Sequence, residues 1–202
     1  YKYGEGGDDL TFRDMTKKYG LVLESDLTFD KSYLINRENL DAYYEYYSRY
    51  ANYDIMKDLT YEMYPKFLAT DTDEEKLQKR LAVKNHIYNY GSGFFAMDWG
   101  TTKSIDKNKY FIKVPNDADS AHAVTAIGWD DNVQYHDETN NKTYTGAWVC
   151  LNSWGNYSNK DGIIYVFYED YDLWRTSGYI YTPQTTGIYY QNKIKDGSGY
   201  VD

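Results

Sequence analysis

Two apolar, strand-like runs separated by a polar stretch constrain this chain more than any other feature. The first is Ala121-His122-Ala123-Val124-Thr125-Ala126-Ile127-Gly128-Trp129-Asp130, and the second is Gly146-Ala147-Trp148-Val149-Cys150-Leu151-Asn152-Ser153-Trp154-Gly155. Residues 131–146 between them are polar, with Asn140-Asn141 at the middle, which reads as a hairpin insertion. Each run carries one polar residue able to do chemistry: His122 starts the first, and Asn152 lies near the end of the second beside Trp154. A histidine oriented by an amide and shielded by an indole is the base half of a nucleophilic site.

The 202 residues suggest one domain or two closely packed lobes, and 42% hydrophobic residues suffice for a real core. The formal net charge is −9 and no Lys/Arg-rich run occurs, which argues against nucleic acid and anionic membrane as partners. No apolar stretch approaches the roughly 18–20 residues that cross a bilayer, so no membrane span is expected. The 26 tyrosines supply half-buried contact area with a polar tip, at sheet faces or in a cleft. Residue 1 is Tyr, so the chain is expected to start downstream of its natural beginning. The single cysteine, Cys150, excludes an internal disulfide. Its apolar setting, Trp148-Val149-Cys150-Leu151, gives it the character of a small buried hydrophobe, with no helix N-terminus to lower its pKa.

Along the chain, residues 8–19 read as a helix stopped by Gly20, followed by an extended Leu21-Val22-Leu23. Residues 36–69 are Tyr-rich; 39–50 read as helical and the remainder is open between helix and strand. Residues 71–90 read as a helix capped by Thr72 or Asp73, with Leu77, Leu81, Lys84, Ile87 and Tyr88 as its periodic run and Gly91-Ser92-Gly93 as its end. Strands are then expected over 94–97, 110–114, 122–129, 147–153, 163–168 and 178–182. A helical first part therefore gives way to a β-rich second part near residue 72. The remaining histidines read as structural, His86 in the helix and His136 in the hairpin, and no acidic spacing indicates a metal.

Taken together, these pieces resemble the papain-like cysteine peptidases. Gly6-Gly7, a helix, and Tyr19-Gly20-Leu21-Val22 are similar to that family's glycine pair and the segment after it. The run Val83-Lys84-Asn85-His86-Ile87-Tyr88-Asn89-Tyr90-Gly91 resembles the helix that opens its second lobe. His122-Ala123-Val124 with Gly128-Trp129-Asp130 resembles the catalytic histidine strand, and Asn152-Ser153-Trp154-Gly155 the catalytic asparagine motif. Asp161-Gly162 and the strand after it resemble the following hairpin. The Gly-Trp-Asp-Asp and Gly-Ala-Trp wording is most similar to bacterial members exported to the cell surface, some of which carry a lectin-like domain downstream.

The resemblance implies an α+β, two-lobe papain-like fold without its central cysteine helix. Residues 1–71 would be the remainder of the helical lobe, 72–184 the antiparallel β-rich lobe, and 185–202 a linker or the start of a further domain. It also implies acyl transfer by a thiolate, with His122 as base and acid, Asn152 orienting its ring and Trp154 covering that hydrogen bond. Gly6 and Gly7, with Asp8 and Ala121, would line the substrate site; Asp8 reads equally as a helix cap. No cofactor is implied, and the partner is a peptide or protein substrate outside the cell or at a bacterial surface. In the family the nucleophilic cysteine and an oxyanion-hole glutamine precede the glycine pair, and neither lies within this sequence. Leu151 stands where many relatives have lysine. The expectation is a cysteine peptidase whose cysteine comes from an upstream segment or chain, this polypeptide alone being inactive. The alternative is a non-catalytic module binding peptide or glycan; a third reading is an inactive fragment.

Overall fold

The computed structural model describes residues 10, 14, 60–106, 109–113, 121–153, 162–169 and 173–180. Leu10 and Asp14 are helical, within the span expected for the first helix; the stretches at 21–23 and 39–50 lie outside the described residues. The chain divides into two compact units, and nearly all described residues belong to the second, which includes Tyr61–Ile180. That unit is built on an eight-stranded sheet and one helix, an α+β arrangement.

The strands are β1 (Thr60–Tyr64), β2 (Gly93–Asp98), β3 (Thr101–Ser104), β4 (Tyr110–Lys113), β5 (Ala121–Asp137), β6 (Lys142–Leu151), β7 (Ile163–Phe167) and β8 (Leu173–Ile180). Their spatial order is β1-β8-β2-β5-β6-β7-β4-β3. The pairs around β5 are antiparallel, and β4 joins β7 in parallel. The two apolar runs of the sequence thus become β5 and β6, in the middle of the sheet. A turn at 138–141 joins them, with Asn141 in the left-handed region at φ 52°.

Helix α1 (Asp73–Tyr90) starts and stops where its chemistry dictates. The Thr72 hydroxyl accepts from the backbone N–H of Glu75, while the Glu75 carboxylate accepts from that of Thr72. Asp73, Glu74 and Glu75 place negative charge at the positive end of the helix dipole. Gly91, at φ 86°, closes the helix by donating its N–H to the Ile87 carbonyl.

Opposed residues of antiparallel strands share a face. The pairs Phe95↔Val124, Ala126↔Cys150, Cys150↔Ile164 and Trp148↔Val166 therefore define one buried face across β2, β5, β6 and β7. Val83 and Ile87 of α1 complete this core. Leu77, Leu81 and Tyr88 are instead at least two-fifths exposed. The inward stripe of α1 is Arg80, Val83, Lys84 and Ile87, at helical spacing, with the buried His86 beside it. Its two cations lie over aromatic rings, Lys84 on Trp129 and Tyr168 and Arg80 on Tyr168, at 5.1–5.4 Å.

Candidate active site

His122 stands at the second position of β5, on the face that carries the buried Val124 and Ala126. It is half-buried, at the point where the core meets solvent. Asn152 follows the last residue of β6 and is buried. Its backbone N–H donates to the Gly162 carbonyl at 2.9 Å, which anchors the residue after its strand has ended. The pairing Thr125↔Leu151 brings these two strand ends together. Nε2 of His122 donates to Oδ1 of Asn152 at 3.0 Å, joining residues 30 positions apart.

The chemistry follows from the tautomer. A carbonyl oxygen only accepts, so the shared proton sits on Nε2 and the neutral ring carries its basic lone pair on Nδ1. An imidazole held this way takes a proton at Nδ1 without losing its orienting bond. That is what a general base and acid requires of its second partner.

Trp99, directly after β2, packs edge-to-face against the imidazole. The ring centroids are 4.4 Å apart and the planes 71° apart. Sequence reasoning missed this residue, because the contact arises from the β2–β5 register. Met97 pairs with His122, so Trp99, two residues on, is its diagonal neighbour. Ala121 pairs with Asp98 in the same ladder, next to His122. Trp154, Gly6, Gly7 and Asp8 lie outside the described residues.

Cys150 is fully buried in β6, and burial drives its thiol pKa far above the ordinary range. A thiol kept protonated is not a nucleophile. His86 is buried on α1, where its Nδ1 shares a 2.8 Å hydrogen bond with the Tyr64 hydroxyl. His136 is exposed and contacts the Thr143 hydroxyl at 3.0 Å. Among the described residues, no group of three or more His, Cys, Asp or Glu side chains is arranged to hold a metal, and no helix is long and apolar enough to cross a membrane.

No family model matches the chain, and no curated protein matches it. Solved structures do. The cysteine protease and lectin-like domains of Cwp84, a surface layer associated protein of Clostridium difficile, align at 22% identity and TM-score 0.51, covering 91% of this chain and 40% of that one. A second structure of clostridial Cwp84, a single-site variant after propeptide cleavage, aligns at 22% identity and TM-score 0.50, over 91% of this chain and 45% of that one. SERA5E from Plasmodium falciparum aligns at 17% identity and TM-score 0.50, over 88% of this chain and 68% of that one. At such identities the likeness establishes the fold, which is that of papain-like cysteine proteases. The chain spans less than half the length of the Cwp84 chains it matches.

Proposed function

We propose that this polypeptide is the base-bearing part of a cysteine-type peptidase. The observation that carries the proposal is the 3.0 Å hydrogen bond from Nε2 of His122 to Oδ1 of Asn152, set in a fold of papain-like type. In this reading a thiolate, paired with His122 through Nδ1, attacks the scissile carbonyl. The amine leaves with a proton from His122, and water, deprotonated by the same ring, then hydrolyses the thioester. Asn152 keeps the ring in one orientation through both steps. Cys150, the sole cysteine of the sequence, is buried and held as a thiol. The proposal therefore draws its thiolate from polypeptide outside these 202 residues.

On the resemblance of their motifs alone, Gly6, Gly7, Asp8 and Ala121 are proposed as substrate-binding residues and Trp154 as a supporting residue for His122 and Asn152. Location outside the cell or at a bacterial surface is proposed by likeness to Cwp84, a surface-layer associated protein.

The test uses the natural full-length protein with a fluorogenic peptide library and an epoxysuccinyl thiol inhibitor. Turnover that the inhibitor blocks, together with its loss in His122→Ala, is the expected result. Turnover unchanged in His122→Ala overturns the assignment. No thiol-dependent turnover with any peptide favours a non-catalytic scaffold instead.

A further inference from the structure

His122 sits on the central strand of three, and a residue just past the end of each flanking strand contacts its ring. From the β6 side comes the Asn152 amide oxygen at 3.0 Å. From the β2 side comes the Trp99 indole, at 4.4 Å between centroids and nearly perpendicular. One hydrogen bond fixes a point on an imidazole but leaves the ring free to rock about that point. A second, extended contact, from the neighbouring strand on the other flank of β5, restricts this motion. Trp99 suits the task because its own ring is partly buried and packs against the main core cluster. The core therefore holds the indole, and the indole bears on the imidazole.

Resting on the reading of His122 as the general base, we propose that Trp99 is a positioning residue that holds the His122 ring in register with Asn152. It touches neither the proton in transit nor, in this proposal, the substrate. It restricts the ring to the one rotamer in which Nε2–H meets Oδ1 and Nδ1 meets the thiolate. Misplacing a catalytic group by about 1 Å lowers turnover by roughly a hundredfold, so loss of a wall on one side of the ring is expected to fall mainly on kcat.

The test compares the natural full-length protein with Trp99→Leu, which removes the ring, and Trp99→Phe, which keeps a smaller one. The first readout is the solvent-exchange rate of the His122 Nε2–H, followed by NMR after ¹⁵N-histidine labelling. It needs no turnover. Trp99→Leu is expected to speed exchange by about tenfold or more, since the bond to Asn152 opens more often, while Trp99→Phe stays within about threefold. The second readout is steady-state kinetics on a peptide substrate. Trp99→Leu is expected to lower kcat about tenfold with KM within about twofold, and Trp99→Phe to restore most of it. Should Trp99→Leu fail to fold, Trp99→Met supplies a flexible side chain that fills gaps and carries the same expectations. Exchange as slow as in the unmodified protein, in any folded variant without an aromatic ring, overturns the proposal whatever the kinetics. Absence of peptide turnover in the unmodified protein would remove the peptidase reading alone, and the exchange rates would still decide the role of Trp99.

Discussion

Nε2 of His122 and Oδ1 of Asn152 lie 3.0 Å apart because two strands end at the same place. The antiparallel pairing of β5 with β6 sets Thr125 opposite Leu151, so the start of one strand and the end of the other share a corner of the sheet. His122 projects there from the core face, and Asn152 turns back once its backbone N–H is tied to Gly162. The bond is a product of register. A slip of one residue in β5 would send the imidazole to the opposite face, and one in β6 would carry Asn152 out of its reach.

If Asn152 orients the ring, shortening it should impair catalysis far more than folding. Asn152→Ala in the natural full-length protein is expected to reduce kcat/KM by about 10²-fold. His122→Ala should leave no measurable turnover. Kinetics on one peptide substrate, paired with thermal melts, check this. An Asn152→Ala protein with near-normal kcat/KM would remove Asn152 from the site.

Cys150 is placed to be silent. It faces Ala126 and Ile164 on the buried side of the sheet, with no exposure. The native protein should therefore not label at Cys150 with a maleimide at neutral pH, and labelling should appear together with unfolding in denaturant. Cys150→Ala should keep peptidase activity within about twofold while lowering stability by about 1 kcal/mol. Loss of activity in a folded Cys150→Ala protein would contradict the placement of the nucleophile elsewhere.

The sequence made β5, β6, α1 and the residues of the hydrogen-bonded pair legible, each for a physical reason. Thr72 with Glu75 and then Gly91 mark the two ends of α1 by satisfying its unpaired backbone groups. The continuous apolar run of β6 reflects a strand buried on both faces from Ala147 to Cys150, whereas β5 alternates buried Val124 and Ala126 with exposed Ala123 and Thr125. β3 was not legible: Thr101-Thr102-Lys103-Ser104 has no apolar alternation, and it is a strand because it pairs with β4 at an edge of the sheet. β1, at the other edge, comes from the Tyr-rich stretch whose helix-or-strand character the sequence leaves open. The inward stripe of α1 was hidden because Arg80 and Lys84 occupy it, burying their stems and placing their charges on Trp129 and Tyr168. Trp99 reaches His122 only through register, which no local pattern encodes.

Gly146 faces a close approach that requires glycine. Its φ is 76°, and a Cβ there would lie 2.6 Å from Cε2 of Tyr168. Tyr168 has little room to yield. Its hydroxyl donates to Asp131 at 2.7 Å, and its ring packs on Trp148 at 5.0 Å. Backbone strain and overpacking together predict that Gly146→Ala loses about 2–4 kcal/mol. The melting temperature should fall by roughly 5–15 °C. In a double-mutant cycle with Tyr168→Ala, the pair should lose less than the sum of the single changes. Strict additivity would show that the ring is not what excludes the side chain.

His86 predicts how stability responds to acid. Burial depresses its pKa below the ordinary 6.5, and the opposing pull of Glu62 and the Ser92 backbone is smaller. The ring is enclosed by Tyr64, hydrogen-bonded at Nδ1, and by Tyr90 at 5.0 Å between centroids. In the unfolded chain the same histidine takes up a proton as the pH drops through about 6.5, while in the folded protein it stays neutral to lower pH. The unfolded state then binds more protons, so stability is complete above that value and declines as the pH falls below it. The slope is at most about 1.4 kcal/mol per pH unit. Urea denaturation between pH 7.5 and 5, an interval of about two and a half units above most carboxylate titration, isolates this effect. His86→Gln should be less stable at pH 7.5, through loss of the Tyr64 contact, yet show a flatter dependence than the unmodified protein. Equal slopes in the two proteins would mean that His86 does not govern the acid limb.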